Sequence, residues 1–528
     1  MSFLSQLLEH YHLTVKDLGV RNAPGSFTNL VTPFENVSFL SLVKRLRHAV
    51  AVHEKTVIYG DYDVDGITAT TIMKRVLDEK GLNPGYFIPS RYREGYGLNS
   101  DRVREFHEKG YHLILTVDNG ISAVESISLA KSFGMDVLVI DHHDVPDALP
   151  PYDAVFHQTL SSFLSYNCSA ASLALFIAAA LRDNRFDDYD ATLAGLAVFS
   201  DVMPLDGNNL ELAKIMLANL KRYQYPNLMK LLSGDVSYHG IGFSVNPLLN
   251  APGRIAKDVL STNHVVLFLL ENRESERMNR LFEEIVKTNE LRKKVIAEQK
   301  LMFPFISAHT QTYQMNSYSG LSGSVANRLM LSKHLPTAVF ASMEKDDNYL
   351  VGSIRVPDGY DAISFIRKVP SLFVASGGHP RACGITIRKT DYIRFATEFA
   401  SFFALAHPEA ETTESSIPIV LSDLNEENFR IYESFEPFGE GFESPKFTLT
   451  VEKNDLVLSK NGKAVFSKVT PTGGRLCCFQ SVLAIKDSIA SYFEFTGTLR
   501  KNEFNGKVYY ELLAEKVSFG PDSDVIVQ

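Results

Sequence analysis

The chain has 528 residues, 45% hydrophobic and 22% charged, with a formal net charge of −9. That length exceeds what one hydrophobic core supports, so several domains are expected. The acidic balance argues against a nonspecific nucleic-acid coat, though not against an enzyme that handles nucleic acid in a local groove. No apolar run is long enough to span a bilayer, and the start Met1-Ser2-Phe3-Leu4-Ser5-Gln6 lacks the basic flank and apolar core of a signal peptide. No membrane partner is therefore expected. Four cysteines, Cys168, Cys383, Cys477 and Cys478, show no metal-ligand spacing and suit a reducing cytoplasm.

In chain order, residues 1–50 read as a helical lead-in, with an amphipathic run from Leu40 to Arg47. From 51 to 210 short β-branched runs alternate with helical stretches, the signature of an α/β domain built on a parallel sheet. The runs Thr56-Val57-Ile58-Tyr59, Leu113 to Val117 and Asp136 to Ile140 are predicted strands. They end at Gly60-Asp61-Tyr62-Asp63-Val64-Asp65-Gly66, at Asp118-Asn119-Gly120 and at Asp141-His142-His143-Asp144, while Asp201 closes a fourth apolar segment, Leu193 to Phe199. Ligand sites in parallel sheets lie at the carboxyl ends of the strands. Alternate residues of an extended segment point the same way, so Asp61, Asp63 and Asp65 can converge on a divalent cation. A solvated acidic turn is the plain alternative for that motif, and a satisfied structural pair is the plain alternative for the histidines. With acids at all four ends, a two-metal site for phosphate ester hydrolysis fits best.

Residues 211–304 read as a connecting helical region. Met278, Leu281, Ile285 and Val295 recur at helical spacing within Glu271 to Lys300, which predicts one long helix there. Upstream, Ser169 to Leu181 is apolar nearly all round and reads as a buried helix. Residues 305–407 form a second α/β unit, with strands at Leu335 to Phe340, Tyr349 to Val356 and Ile385 to Arg388. Pro408 to Ser416 is a polar linker. The last unit, 415–528, is β-rich: Phe447 to Val451, Ala464 to Val469, Leu476 to Phe479, Tyr492 to Leu499 and Lys507 to Leu513 are strands, and Phe504-Asn505-Gly506-Lys507 signals a hairpin turn. About five strands in that space suggest a small OB-like barrel, a frequent binder of single strands.

The four ordered segments Asp61-Tyr62-Asp63-Val64-Asp65-Gly66, Val117-Asp118-Asn119-Gly120, Asp141-His142-His143 and Ser200-Asp201-Val202 resemble the motifs of the DHH phosphoesterase superfamily. Gly377-Gly378-His379-Pro380-Arg381-Ala382-Cys383-Gly384 resembles the glycine-glycine-histidine signature of the DHH-associated domain, and Asn250-Ala251-Pro252-Gly253-Arg254 and Gly352-Ser353-Ile354-Arg355 point to the branch of single-strand-specific exonucleases. The resemblance implies a parallel-sheet DHH domain, joined by a long helix to a smaller α/β DHH-associated domain, followed by a C-terminal OB-like β-barrel. It further implies a metal-dependent exonuclease that cuts single-stranded DNA from the 5′ end to 5′-mononucleotides, in DNA repair and recombination. Single-strand-binding protein and a helicase are the partners those roles suggest.

Residue by residue, the resemblance implies Asp61, Asp63, Asp65, Asp118, His142 and Asp201 as ligands of two Mn²⁺ ions, with Mg²⁺ as a substitute. Asp118 is the carboxylate that two closely spaced ions would share. Asp141 is assigned to orienting His142 or holding the turn rather than to ligation. His143 is placed on the transition-state charge or the leaving group. Gly377 and Gly378 would let backbone amides approach a phosphate, with His379 as donor. Arg91, Ser353 and Arg355 match positions that hold a terminal 5′ phosphate, and Arg254 and Arg328 are candidates for strand-backbone contacts against the plain reading of surface ion pairs.

Four positions depart from the family's pattern: Tyr318, His157, Pro252 and Phe442. None lies in a metal motif, so hydrolysis is expected to stand while substrate grip differs. Two other functions stay open at this point: a phosphodiesterase of short oligoribonucleotides or cyclic dinucleotides, and a catalytically dead replication scaffold. The second predicts eroded ligands, and the metal motifs here are intact.

Overall fold

A computed structural model describes residues 1–89, 97–233, 236–255, 261–343, 346–406, 416–479, 482–504 and 506–519. The chain divides into two compact units, one made of Gly25–Ala410 and the other of Met1–Pro24 with Glu411–Gln528. Among the described residues no helix is long and apolar enough to cross a membrane.

The first sheet of the larger unit has five strands: β1 (Thr56–Tyr59), β2 (Gly85–Phe87), β3 (Leu113–Val117), β4 (Asp136–Ile140) and β5 (Ala154–Phe156). Their order is β2-β1-β3-β4-β5, and every pairing is parallel. Strands β1 and β3 are buried along their whole length, which is why they read as unbroken apolar runs rather than as alternating ones. The strand order reverses direction between β1 and β3, so a crevice opens beyond their carboxyl ends. The helices Val64–Glu79 and Ala170–Leu181 cover this sheet, with Asp188–Ser200 packed on both of them, and every residue of the second is buried, as its apolar surface requires.

The 22-residue helix Glu276–Ala297 leads into a six-stranded sheet, burying Met278, Leu281 and Ile285 on one face. The strands are β6 (Leu301–Ile306), β7 (Gln311–Met315), β8 (Thr337–Ser342), β9 (Tyr349–Arg355), β10 (Ala375–His379) and β11 (Ala382–Arg388), ordered β10-β11-β9-β8-β7-β6. Only β7 and β8 pair in parallel. A cluster of phenylalanines, with Phe340 from β8 and Phe395, Phe399 and Phe403 from the helix Tyr392–Leu405, forms its core.

The smaller unit has seven strands where five are legible in the sequence: β12 (Ile417–Ile419), β13 (Phe447–Glu452), β14 (Leu456–Leu458), β15 (Val465–Ser467), β16 (Gly474–Cys478), β17 (Tyr492–Phe504) and β18 (Lys507–Phe519). Their order is β12-β13-β17-β18-β16-β15-β14. The two extra strands are three-residue edges, too short to show a period. The expected hairpin joins β17 to β18, pairing Phe504 with Lys507. The helices Phe3–His10 and Val15–Asn22 belong to this unit, because Phe3, Leu7 and Leu18 complete its core. The helical lead-in of the sequence is thus shared: residues 1–24 fold with the C-terminal strands, and the helix Val37–Ala51 folds with the first sheet. The linker read at Pro408 to Ser416 lies, but for its last residue, outside the described residues.

Candidate metal centre

Strand β1 ends at Tyr59, the chain bends at Tyr62 and Asp63, and Asp63 itself is extended at φ −94° and ψ −177°. Asp63 then caps the helix Val64–Glu79, accepting a hydrogen bond from the Gly66 amide at 3.2 Å. Strand alternation therefore does not carry all three acids: a bend separates Asp61 from Asp63, and Asp65 lies in the first helical turn. Its carboxylate instead accepts from the amides of Ala170 (2.7 Å) and Ala171 (2.8 Å), at the start of another helix. Gly66 must lack a side chain: a Cβ there would sit 2.6 Å from the backbone of Asp61. Asp118 follows β3 in the left-handed region at φ 63°, which acidic side chains tolerate better than most, and its amide is tied to the Ile140 carbonyl at 2.9 Å. Asp201 does not end a strand. The apolar run before it is the helix Asp188–Ser200, buried nearly all round, and Asp201 is its C-cap. A short apolar run cannot be assigned to strand or helix by periodicity alone.

These residues converge. Ligand atoms of Asp61, Asp63 and Asp118 lie within 4.8 Å of one another, as do those of Asp65, His142 and Asp201, and those of Asp118, His142 and His143. His142 Nε2 is 3.2 Å from Asp118 Oδ1, 3.3 Å from Asp201 Oδ2 and 3.5 Å from Asp65 Oδ2. Asp118 belongs to two of the three groups, the property a bridging carboxylate needs.

The electrostatics match a cation site. Burial, reinforced by Asp63, raises Asp65 to about 7. Burial and the neighbouring carboxylates raise Asp201 to about 9 and push Asp118 well above the ordinary range. Burial, helped by His143, lowers His142 to about 4, so its imidazole is neutral and fit to ligate. Asp118 Oδ1 is buried and accepts no hydrogen bond among the described residues. Acids crowded this closely cost stability unless cations join them, and carboxylate oxygens with one neutral imidazole form a donor set suited to Mn²⁺ or Mg²⁺.

Asp141 orients His143 rather than His142. Its Oδ1 accepts from His143 Nδ1 at 2.8 Å and from the His142 amide at 2.8 Å, while Oδ2 accepts from the Ile121 amide at 2.9 Å. Burial opposes charge on His143, but the Asp141 bond and the nearby acids outweigh it and raise the group to about 9. Two residues that the sequence does not single out as braces follow β5. His157 hydrogen-bonds the His143 carbonyl through Nε2 at 2.8 Å, and Gln158 donates to the His142 carbonyl at 3.1 Å. The departure at His157 is thus a buried prop for the histidine turn. Nothing in local sequence could reveal it, because the two segments meet only when β5 pairs with β4.

The second sheet holds the other candidates. Ser353 and Arg355 lie on β9; Ser353 is buried and shares a hydrogen bond with Ser322 at 2.9 Å, and Arg355 donates to the Ile354 carbonyl at 2.8 Å. A Cβ on Gly323, in the first turn of the helix Ser322–Lys333, would lie 2.8 Å from the Arg355 guanidinium, so these groups share one helix start. Gly377, Gly378 and His379 sit on β10, the exposed edge strand, with Gly378 at φ 137°. Arg328 donates to the Ile296 carbonyl at 2.9 Å, a helix-end contact. Arg254 ends the helix Asn246–Arg254, which contains Pro252; a Cβ on the adjoining Gly253 would lie 2.7 Å from the Tyr62 carbonyl of the acidic motif. Tyr318 packs against the apolar cluster that includes Leu321 and Val325, and Phe442 stacks on Tyr11 at 4.2 Å. Arg91 lies outside the described residues.

Three family models match the chain in order: the DHH family N-terminal domain over residues 55–199, the DHHA1 domain over 310–405 and the RecJ OB domain over 416–516. Residues 55–199 thus match a DHH N-terminal domain, and the two further models follow it in chain order. Its sequence is similar to single-stranded-DNA-specific exonuclease RecJ of Bacillus subtilis, 30% identical over 68% of this chain and 47% of that protein, so it spans about half of that relative's length. The RecJ of Haemophilus influenzae is 28% identical over 79% of each chain. The crystal structure of RecJ in complex with Mn²⁺ from Thermus thermophilus has the same fold, with a TM-score of 0.79 at 23% identity, covering 98% of this chain and 76% of that one.

Proposed function

We propose that this protein is a metal-dependent 5′-to-3′ exonuclease that hydrolyses single-stranded DNA to 5′-mononucleotides. The observation that supports it most is the convergence of Asp61, Asp63, Asp65, Asp118, His142 and Asp201 at the crevice between β1 and β3. Those six residues would hold two divalent cations, Mn²⁺ with Mg²⁺ as a substitute, and Asp118 would be shared. Such ions supply Lewis-acid charge and a water of lowered pKa.

The chain's own groups do the rest. His143, held by Asp141 through Nδ1, keeps a proton at neutral pH and offers its other N–H to the phosphoryl or leaving oxygen. Asp141 fixes that ring and the two amides beside it. Ser353 and Arg355, gathered at the start of the helix Ser322–Lys333, would hold the terminal 5′ phosphate. Gly377, Gly378 and His379 on the open edge, with Arg254 and Arg328, would meet the phosphates that follow. The segments 51–210, 211–304 and 305–407 would act as catalytic, connecting and substrate-binding parts, and 415–528 as an OB-like nucleic-acid-binding part. Single-strand-binding protein and a helicase are proposed as partners in repair and recombination. A reducing cytoplasm suits the four buried cysteines, which no disulfide joins.

The test is a 5′-phosphorylated single-stranded DNA oligomer, labelled at its 3′ end, incubated with Mn²⁺ beside matching RNA and a blunt duplex. A ladder shortening from the 5′ end on single-stranded DNA is expected. Turnover confined to RNA or to very short oligomers would assign the chain to another phosphodiesterase activity, and no turnover on any strand would favour a scaffold.

A further inference from the structure

The helix that delivers Asp201 ends against the rules its neighbours follow. The amide of Met203 bonds the Val198 carbonyl at 2.9 Å, closing the helix through a left-handed residue, and that residue is Val202 at φ 52°. Glycine is usual at such a position, because a Cβ in the left-handed region meets the following carbonyl. Elsewhere the chain obeys: Gly81, Gly110 and Gly134 follow their helices with positive φ, and Gln224, Ser233 and His334 are the polar residues that do the same. Among the described residues Val202 is the sole β-branched one with positive φ. A branched side chain there is a true outlier.

Packing does not explain the valine, since it is 61% exposed. Its place does. Asp65 and Asp118 have side chains 0% and 2% exposed, on the closed side of the acidic cluster, whereas Asp201 and His143 are 32% and 42% exposed and mark its open side. Val202 follows Asp201 directly, so an apolar branched group stands in solvent beside the mouth through which a phosphodiester must enter. Neither backbone preference nor core burial favours valine here, and strain of this kind persists at sites where something outside the chain rewards it. A nucleotide whose phosphate lies at the cluster brings the carbon face of its sugar and the flat face of its base to the same rim.

We infer that Val202 is a substrate-contact residue, its isopropyl group packing against the sugar or base of the nucleotide next to the scissile phosphate. The inference rests on the nuclease reading above and assigns that site a sequence-tolerant apolar wall. The backbone is strained to hold it there.

Three variants test it: Val202→Asn, Val202→Gly and Val202→Ile. Melting is followed in EDTA, Mn²⁺ binding by calorimetry, and KM and kcat on a 5′-phosphorylated single-stranded DNA oligomer. The asparagine variant, whose side chain suits the left-handed region, is expected to melt about 1–3 °C higher than wild type. It should bind Mn²⁺ as wild type does and show a KM raised about fivefold with kcat nearly kept. The glycine variant should match it in KM and Mn²⁺ affinity, and the isoleucine variant should keep the wild-type KM. An asparagine variant with unchanged KM would overturn the contact. A lower melting temperature would overturn the strain argument, and a raised KM accompanied by weakened Mn²⁺ binding would show that Val202 acts only by placing Asp201. Failure of the nuclease reading itself looks different: wild-type protein would then hydrolyse no single-stranded DNA at all, and the contact would fall with it.

Discussion

The two sheets of the larger unit present their motif residues in opposite ways. At the ends of β1 and β3 the acids are buried and fastened: Asp65 by two amides, Asp118 by its own amide, the histidine turn by Asp141, His157 and Gln158. On the other sheet, Gly377 to His379 lie on an edge strand exposed from end to end. The difference teaches a division of labour. Groups that hold charge for the chemical step are preorganised by the fold, where low dielectric makes their placement count. On the proposed reading, the groups that would grip a long, variable strand are left open to water.

That contrast breaks first at the buried end. Asp118→Asn should cost about a thousandfold or more in Mn²⁺-dependent hydrolysis of single-stranded DNA. In EDTA at pH 8 the same variant should melt no lower than wild type, because an amide of nearly the same shape replaces an acid whose ionisation burial and its neighbours oppose. A variant that loses both activity and stability would mean that Asp118 is structural.

Next comes the metal itself. The raised carboxyl groups, Asp65 at about 7 and Asp201 at about 9, bind protons more tightly in the folded chain than in the unfolded one. The metal-free protein should therefore lose stability as pH rises from the ordinary carboxylate range near 4 towards 9. Mn²⁺ at about a hundredfold over its Kd should restore roughly 3 kcal/mol or more, and the gain should grow with pH. A metal-free melting temperature that is flat over this window would deny the buried repulsion.

The open sheet should respond more mildly. Arg355→Ala should lower kcat/KM about ten- to a hundredfold on 5′-phosphorylated DNA and much less on a 5′-hydroxyl strand, read by comparing the two substrates. Equal losses on both would move Arg355 away from the terminal phosphate. Asp141→Asn releases the ring that Asp141 holds and removes the bond that raises His143, so the alkaline limb of the pH–rate profile should move down towards the histidine range. Activity at pH 8 should fall about tenfold. Smallest of all, Phe442→Asn removes a ring stacked on Tyr11 and lying 3.5 Å from the Arg21 guanidinium. It should cost about 1–2 kcal/mol in the smaller unit, seen as an earlier melting step, and leave metal-dependent hydrolysis of short strands unchanged.

The sequence shows the buried strands clearly, because β1, β3 and β4 are unbroken apolar runs that stop at acids. It shows Asp118 and the histidine turn for the same reason. It misleads at Asp65, where a helix begins one residue earlier than an extended reading allows, since Asp63 is both a candidate ligand and a helix cap. At Asp201 a helix buried on every side has no period to betray it. His157 and Gln158 are invisible as braces, because their partners come from a neighbouring strand. The edge strand β10 is hidden by its two glycines, which favour a turn on local grounds but pair with β11 in the folded chain. Residues 1–24 look like a lead-in because nothing local says that Phe3 will stack on Phe447.

The central claim is that strand-end and helix-end acids hold two divalent ions. Its most direct test is a calorimetric Mn²⁺ titration of wild type, Asp118→Ala and Asp201→Ala at pH 8. The account predicts two ions per wild-type chain, neither held tightly once Asp118 is gone, and one retained when only Asp201 is lost. Binding of fewer than two ions by wild type, or undiminished binding by Asp118→Ala, would contradict it.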